Sequence, residues 1–211
     1  MRIVGGTARG RALLGPPKNL QLRPTSDKVR EAVFDVLAAG KGGAISGRAI
    51  DLFAGTGGYG IEALSRGASD VVFVDRSPAA CALIRENLQR LDLEERGRVH
   101  AGDTERLISR LASSGERPFD LAFIDPPYGE GAAAPAAERL LEEGLLAPDG
   151  IVVIESSVRE TVDTPPALEA FRQKRYGDTC IAFLRPAGQS SGTASRSNPG
   201  KPAKPAAGAS S

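Results

Sequence analysis

Histidine is nearly absent from this chain of 211 residues. His100 is the single one, so zinc chemistry and Ser–His catalysis have almost no residues to work with. Cysteine is as scarce. Cys81 and Cys180 stand far apart, with no second Cys or His at ligand spacing, which implies two reduced thiols without a cofactor and no metal site. Long apolar runs are missing too: nothing approaches the roughly 20 residues needed to cross a bilayer. The opening "MRIVGGTARGR" has no apolar core of the kind a signal peptide carries. These absences set the expectation of a cytoplasmic protein without membrane contact.

What is present is ordinary in amount and uneven in place. With 41% hydrophobic and 25% charged residues, the chain suits one well-buried domain with a small appendage. The net charge of +1 conceals +6 over residues 1–30, +3 over the tail from Ala187, and −8 over residues 31–186. An acidic body with a basic front suggests a polyanionic partner met by the N-terminal segment, through Arg2, Arg9, Arg11, Arg23, Lys28 and Arg30. A solvated, glycine-rich arm without a partner is the alternative, and charge alone does not choose between them.

Two β-prone runs broken by Gly and Pro, "RIVGG" and "RALLG", predict a hairpin arm over residues 1–22. A helix follows, capped at Thr25 or Ser26, with Val29, Ala32, Val33, Val36 and Leu37 on one stripe and "GKGG" at 40–43 ending it. Strand patterns at 48–53, 70–75, 98–102, 119–125 and 150–156 then alternate with helical patterns at 57–66, 78–91, 103–113 and 133–144. Such alternation predicts an α/β fold: a Rossmann-like, mostly parallel sheet covered on both faces, over residues 23–186. Residues around 170–176 and 179–185 predict an antiparallel edge hairpin. Of the last 25 residues, 19 are Ala, Gly, Ser or Pro, so residues 187–211 read as a disordered tail.

"DLFAGTGGYG" (51–60) follows the first strand and opens a helix. Gly55, Gly57 and Gly60 fit G-x-G-x-x-G, and Asp75 ends the next strand 20 residues after Gly55. Glycines there let backbone approach a nucleotide, and an acid at Asp75 accepts ribose hydroxyls. NAD and S-adenosylmethionine are both candidates. Asp51 argues for the second, because a carboxylate beside the loop repels a pyrophosphate but pairs with the ammonium of a methionine moiety. Asp103, after the third strand, reads equally as an adenine-edge contact or as a helix N-cap.

The fourth strand ends in "FIDPPY" (123–128). Pro126 and Pro127 remove two backbone donors and keep their carbonyls. Asp125 with the Pro126 carbonyl then forms an acceptor-only pocket, and Tyr128 adds a flat face for stacking. That suits an exocyclic amine on a nucleobase, gripped through its N–H groups so that its lone pair is aimed at a methyl sulfonium. A plain Pro-Pro turn is the bland reading.

At these residues the chain resembles the class I S-adenosylmethionine-dependent methyltransferases, and within them the RsmD-type 16S ribosomal RNA guanine-N2 methyltransferases. The resemblance covers roughly residues 1–186 and rests on "MRIVGGTARGR", "RPTSDKVREAVFDVL", "DLFAGTGGYGIEALSRGA", "VFVDRS", "FIDPPY" and "YGDT". It implies methylation of the 2-amino group of one guanine in 16S rRNA, free or within an assembled or assembling small subunit, by a monomer. It implies S-adenosylmethionine binding at Asp51, Gly55, Gly57, Asp75 and Asp103, with Ala54, Arg76 and Thr104 beside them, and catalysis at Asp125, Pro126, Pro127 and Tyr128. It also makes RNA the polyanion met by the basic front. Gly58 and Tyr59 depart from the family, which has a small residue and then Leu there. The same pocket chemistry also serves DNA adenine or cytosine amines and protein glutamine, and a non-catalytic RNA-binding assembly factor with this fold is the reading from another class.

Overall fold

Strands form where apolar runs are short and β-branched, and helices where the apolar period lengthens. The computed structural model describes residues 1–16, 26–39, 45–127, 129, 131–160 and 164–188. The expected helix stop at 40–43, the candidates Arg23 and Tyr128, and the tail beyond Gly188 lie outside these residues.

Seven strands make one sheet: β1 (Arg48–Leu52), β2 (Asp70–Asp75), β3 (Gly97–Ala101), β4 (Phe119–Ile124), β5 (Leu146–Ser157), β6 (Leu168–Tyr176) and β7 (Thr179–Pro186). Their order is β3-β2-β1-β4-β5-β7-β6. The first five run parallel, while β7 lies antiparallel to β5 and β6 antiparallel to β7. The expected edge hairpin is therefore present, with its second strand innermost. Composition explains the order: β7 buries Ile181, Phe183 and Leu184, whereas β6 exposes Arg172, Gln173, Lys174 and Arg175 and suits an open edge.

Helices α1 (Asp27–Ala39), α2 (Gly58–Ser65) and α3 (Pro78–Arg90) cover one face, and α4 (Thr104–Ser113) and α5 (Ala133–Glu142) the other. Alternate strand residues divide between them: Ala49, Phe73, Phe123 and Val153 face the first core, and Ile50, Val74, Ala122 and Val152 the second. Ser26 caps α1, its hydroxyl accepting from the Val29 N–H at 3.2 Å. Ser77 and Asp103 cap α3 and α4 in the same way.

The basic front end is hairpin-like but docked. One antiparallel bridge, Arg2 to Ala12, closes it, and Ile3, Ala8 and Leu13 enter the first core. It sits on α2. The Thr7 N–H donates to the Ser65 carbonyl at 2.8 Å, and Gly6, at φ 76, lies so close that a Cβ would fall 1.9 Å from that oxygen. The buried Glu62 carboxylate accepts from the Val4 N–H (2.9 Å), Arg66 Nε (2.7 Å) and Arg30 Nε (3.4 Å).

This arrangement corrects one expected RNA contact. Arg30 is fully buried, bonded to Glu62, Asp27 and the Arg2 carbonyl, and cannot reach a phosphate. Arg11 is partly consumed as well, donating to the Leu91 and Arg90 carbonyls and pairing with Asp92. Arg2, Arg9 and Lys28 remain on the surface, Arg2 also pairing loosely with Asp27 at 3.8 Å.

Removing Glu62 would take a carboxylate partner from the fully buried Arg30, which keeps Asp27, and would leave the Val4 N–H and Arg66 without their acceptor, a costlier loss than that of a surface pair. Glu62→Ala is expected to lose about 3–5 kcal/mol in urea unfolding and to accelerate amide exchange at Val4 and Ala8.

Candidate active site

The first βα turn is built on left-handed backbone. Phe53 (φ 59) turns the chain out of β1, and a non-glycine residue there marks strain at the strand tip. Gly55 (φ 55) and Gly57 (φ 76) complete the loop, and Gly57 is the residue from which α2 starts. Gly60 serves packing instead: a Cβ there would lie 2.3 Å from the Phe73 ring, so its absence lets α2 press onto β2. Ala54 fixes the loop against β2 through a 3.0 Å bond to the Val74 carbonyl.

Two carboxylates hold this loop from beneath. Asp75 accepts from the Gly55 N–H and the Ser77 N–H, both at 2.8 Å. A carboxylate has about four lone-pair sites, so these bonds leave acceptor capacity for a ligand hydroxyl. Asp51 accepts from the Gly60 N–H at 2.8 Å and is only 2% exposed. Burial pushes its pKa up to about 8; the Gly60 N–H opposes this, and Asp75 adds to it. An acid so placed gains most from a cation brought beside it.

Asp125 follows the last residue of β4. Its N–H donates to the Leu52 carbonyl at 3.4 Å, which ties the start of the Asp-Pro-Pro segment to the strand that feeds the glycine loop. Phe73, Asp51, Phe123 and Val153 are register neighbours across β2, β1, β4 and β5. Asp75 and Glu155 lie two residues further along their strands, and Asp125 two residues past Phe123, just beyond the end of β4. Period-two alternation therefore puts Asp51, Asp75, Asp125 and Glu155 on one face of the sheet at its carboxyl edge. Asp103 and Thr104 follow β3 beyond them. Asp103 accepts from the Arg106 N–H at 3.0 Å, so of its two readings the structure shows the cap.

A family model described as "Conserved hypothetical protein 95" matches residues 1–185. YlbH of Bacillus subtilis is 36% identical over 189 residues, which are 89% of this chain and all of that one. "Ribosomal RNA small subunit methyltransferase D" of Escherichia coli is 34% identical over 167 residues, 79% of this chain and 80% of that one. Among solved structures, yhhF of Escherichia coli superposes with a TM-score of 0.74 at 29% identity, covering 88% of this chain and 97% of that one.

The chain belongs to the RsmD-type methyltransferases.

In this RsmD-type chain a cavity of about 570 Å³ opens beside the Asp-Pro-Pro segment, lined by Pro126, Pro127, Pro135, Glu138, Glu155 and Glu160 among others. Three glutamates and no cation stand among the described lining residues, so the cavity favours donor-rich groups and disfavours phosphate. Glu155, which sequence reasoning did not assign, lines this cavity. It is 6% exposed, and Tyr59 Oη donates to its Oε2 at 2.8 Å. The Tyr59 ring stacks on Phe123, with centroids 5.0 Å apart and planes 10° apart, and burial, then Glu155 and Asp125, hold its phenol protonated. The departure at Tyr59 thus joins the glycine-loop helix to the cavity. A signal for Glu155 existed: "IVVIE" ends in an acid, as "VVFVD" and "LAFID" do.

An acid whose folded pKa exceeds its unfolded value holds its proton more tightly in the fold, so its contribution to stability is lost as pH rises from about 4 towards 8. Asp51→Asn keeps an acceptor for Gly60 without that penalty. Thermal unfolding should show the variant more stable than wild type at pH 8, with the gap closing towards pH 5.

Proposed function

We propose that this protein methylates the exocyclic 2-amino group of a guanine in 16S ribosomal RNA, using S-adenosylmethionine. The observation that carries the reading is the carboxylate row in a family whose Escherichia coli relative is named a small-subunit ribosomal RNA methyltransferase. The residues present fit this cofactor: a buried acid at Asp51 suits an ammonium, Asp75 suits ribose hydroxyls, and the left-handed Gly55 and Gly57 admit a ligand close to backbone. Asp103 and Thr104 border the adenine end, with Arg76 next to Asp75. A dinucleotide fits less well, because Asp51 and Asp75 would face its pyrophosphate.

When bound, S-adenosylmethionine supplies a methyl carbon made electrophilic by its sulfonium sulfur. The chain's own part is to present the nucleophile. The amine nitrogen of guanine is weak because its lone pair is delocalised into the ring. Asp125 and the Pro126 carbonyl accept its two N–H groups, favour a pyramidal nitrogen and direct the lone pair towards the cofactor side. Pro126 and Pro127 present no N–H to compete. As the nitrogen gains carbon its protons become acidic, and the Asp125 carboxylate takes one. Tyr128 is assigned the stacking face, a contact typically worth about 1–3 kcal/mol per base.

The RNA backbone must be met away from this acidic cavity. Arg2, Arg9 and Lys28, with Arg23, are the proposed phosphate contacts, and Arg11 contributes where its pair with Asp92 opens. The substrate is 16S rRNA, free or in an assembling subunit, and the enzyme acts as a monomer.

Mapping 16S rRNA from cells lacking this protein tests the reading: one N2-methylguanosine should disappear and return on complementation. An unchanged map would overturn it. In the purified enzyme, Asp125→Ala is expected to abolish transfer while S-adenosylhomocysteine affinity stays within about tenfold, whereas Asp75→Ala should weaken that affinity first.

A further inference from the structure

We infer that Glu155 selects guanine among the amine-bearing bases, by accepting the ring N1–H beside the amine held at Asp125. The inference rests on the base-methylation reading above and supplies what an Asp-Pro-Pro pocket lacks. Two acceptors around an NH₂ grip the amine of adenine, cytosine or guanine alike. What differs is the neighbouring ring nitrogen. In adenine (N1) and cytosine (N3) it carries a lone pair, while in guanine N1 carries a hydrogen. A carboxylate beside the amine therefore accepts one more hydrogen bond from guanine and faces a lone pair in the other two.

Glu155 is placed for that role. Ile124 and Ile154 are register partners on adjacent parallel strands, and Asp125 and Glu155 are the residues that follow them. They share a sheet face, and Glu155 lines the cavity that Pro126 and Pro127 border. Tyr59 is the positioning residue: its hydroxyl fixes Glu155 Oε2 from behind at 2.8 Å, and its ring is clamped against Phe123 and Phe34. A buried acceptor built for a donor rejects analogues lacking it far more strongly than a missing methylene group would be rejected.

The test uses 16S rRNA in which the mapped guanine is replaced by 2-aminopurine, which keeps the 2-amino group but has a lone pair at N1. Wild-type enzyme should favour guanine by at least about 100-fold in kcat/KM. Glu155→Gln, whose amide also donates, should narrow that ratio at least tenfold, with S-adenosylhomocysteine affinity unchanged. Tyr59→Phe should narrow it partly, and it serves as the test if Glu155→Gln does not fold. A wild-type enzyme that uses both RNAs equally overturns the inference. So does a ratio unmoved by either variant, and in both cases guanine methylation itself stands. Failure of wild type to methylate either RNA would instead remove the base-methylation reading, and this inference with it.

Discussion

The parallel register of β2, β1, β4 and β5 is the constraint on which the site depends. It delivers Asp75, Asp51, Asp125 and Glu155 to one face of one sheet edge, from segments up to a hundred residues apart. Buried carboxylates so close together are unfavourable unless each finds donors. Backbone N–H groups serve Asp51 and Asp75, and a phenol is one of the partners of Glu155. Neutral donors do not cancel the charge of Asp51 and Asp75, which suits the cationic cofactor proposed above.

The opposite edge of the same sheet is treated differently. There Arg48 bonds Asp70 at 2.8 Å and Glu116 at 2.5 Å, and Arg98 bonds Glu116 at 2.7 Å. Hydrogen bonds from Arg98 and then Arg48, against burial, hold the Glu116 pKa down to about 2. Acids paired with arginine in this way staple neighbouring strands together. The contrast lies within single strands: β2 begins at the arginine-paired Asp70 and ends at Asp75, which accepts from the backbone N–H groups of Gly55 and Ser77. Glu62 follows the stapling pattern in the core, where it spends two of the chain's arginines on fixing the N-terminal segment to α2.

Much of this was legible in the chain. The alternation of apolar strands with amphipathic helices gave the layers, and each strand from β1 to β5 lies within a few residues of its expected span. The glycine loop with Asp75, and the Asp-Pro-Pro tip, were readable because both are local: a turn and the acid after it lie within one βα unit. Charge counting misled at Arg30, since a count of basic residues does not know which are buried. Glu155 went unassigned because its importance is relational. Only the β4–β5 pairing sets it next to Asp125, and only the packing of α2 brings Tyr59 to it.

The sequence by itself determined the periodicities, the left-handed turn at Gly55 and Gly57, and the donor-free backbone at Pro126 and Pro127, because these follow from local sterics and the covalent structure of single residues. Tertiary structure decided which acids share an edge, which arginines face water, and that β7 rather than β6 lies inside the sheet. Those outcomes turn on burial and on strand register, and both belong to surfaces that meet only after the chain has folded.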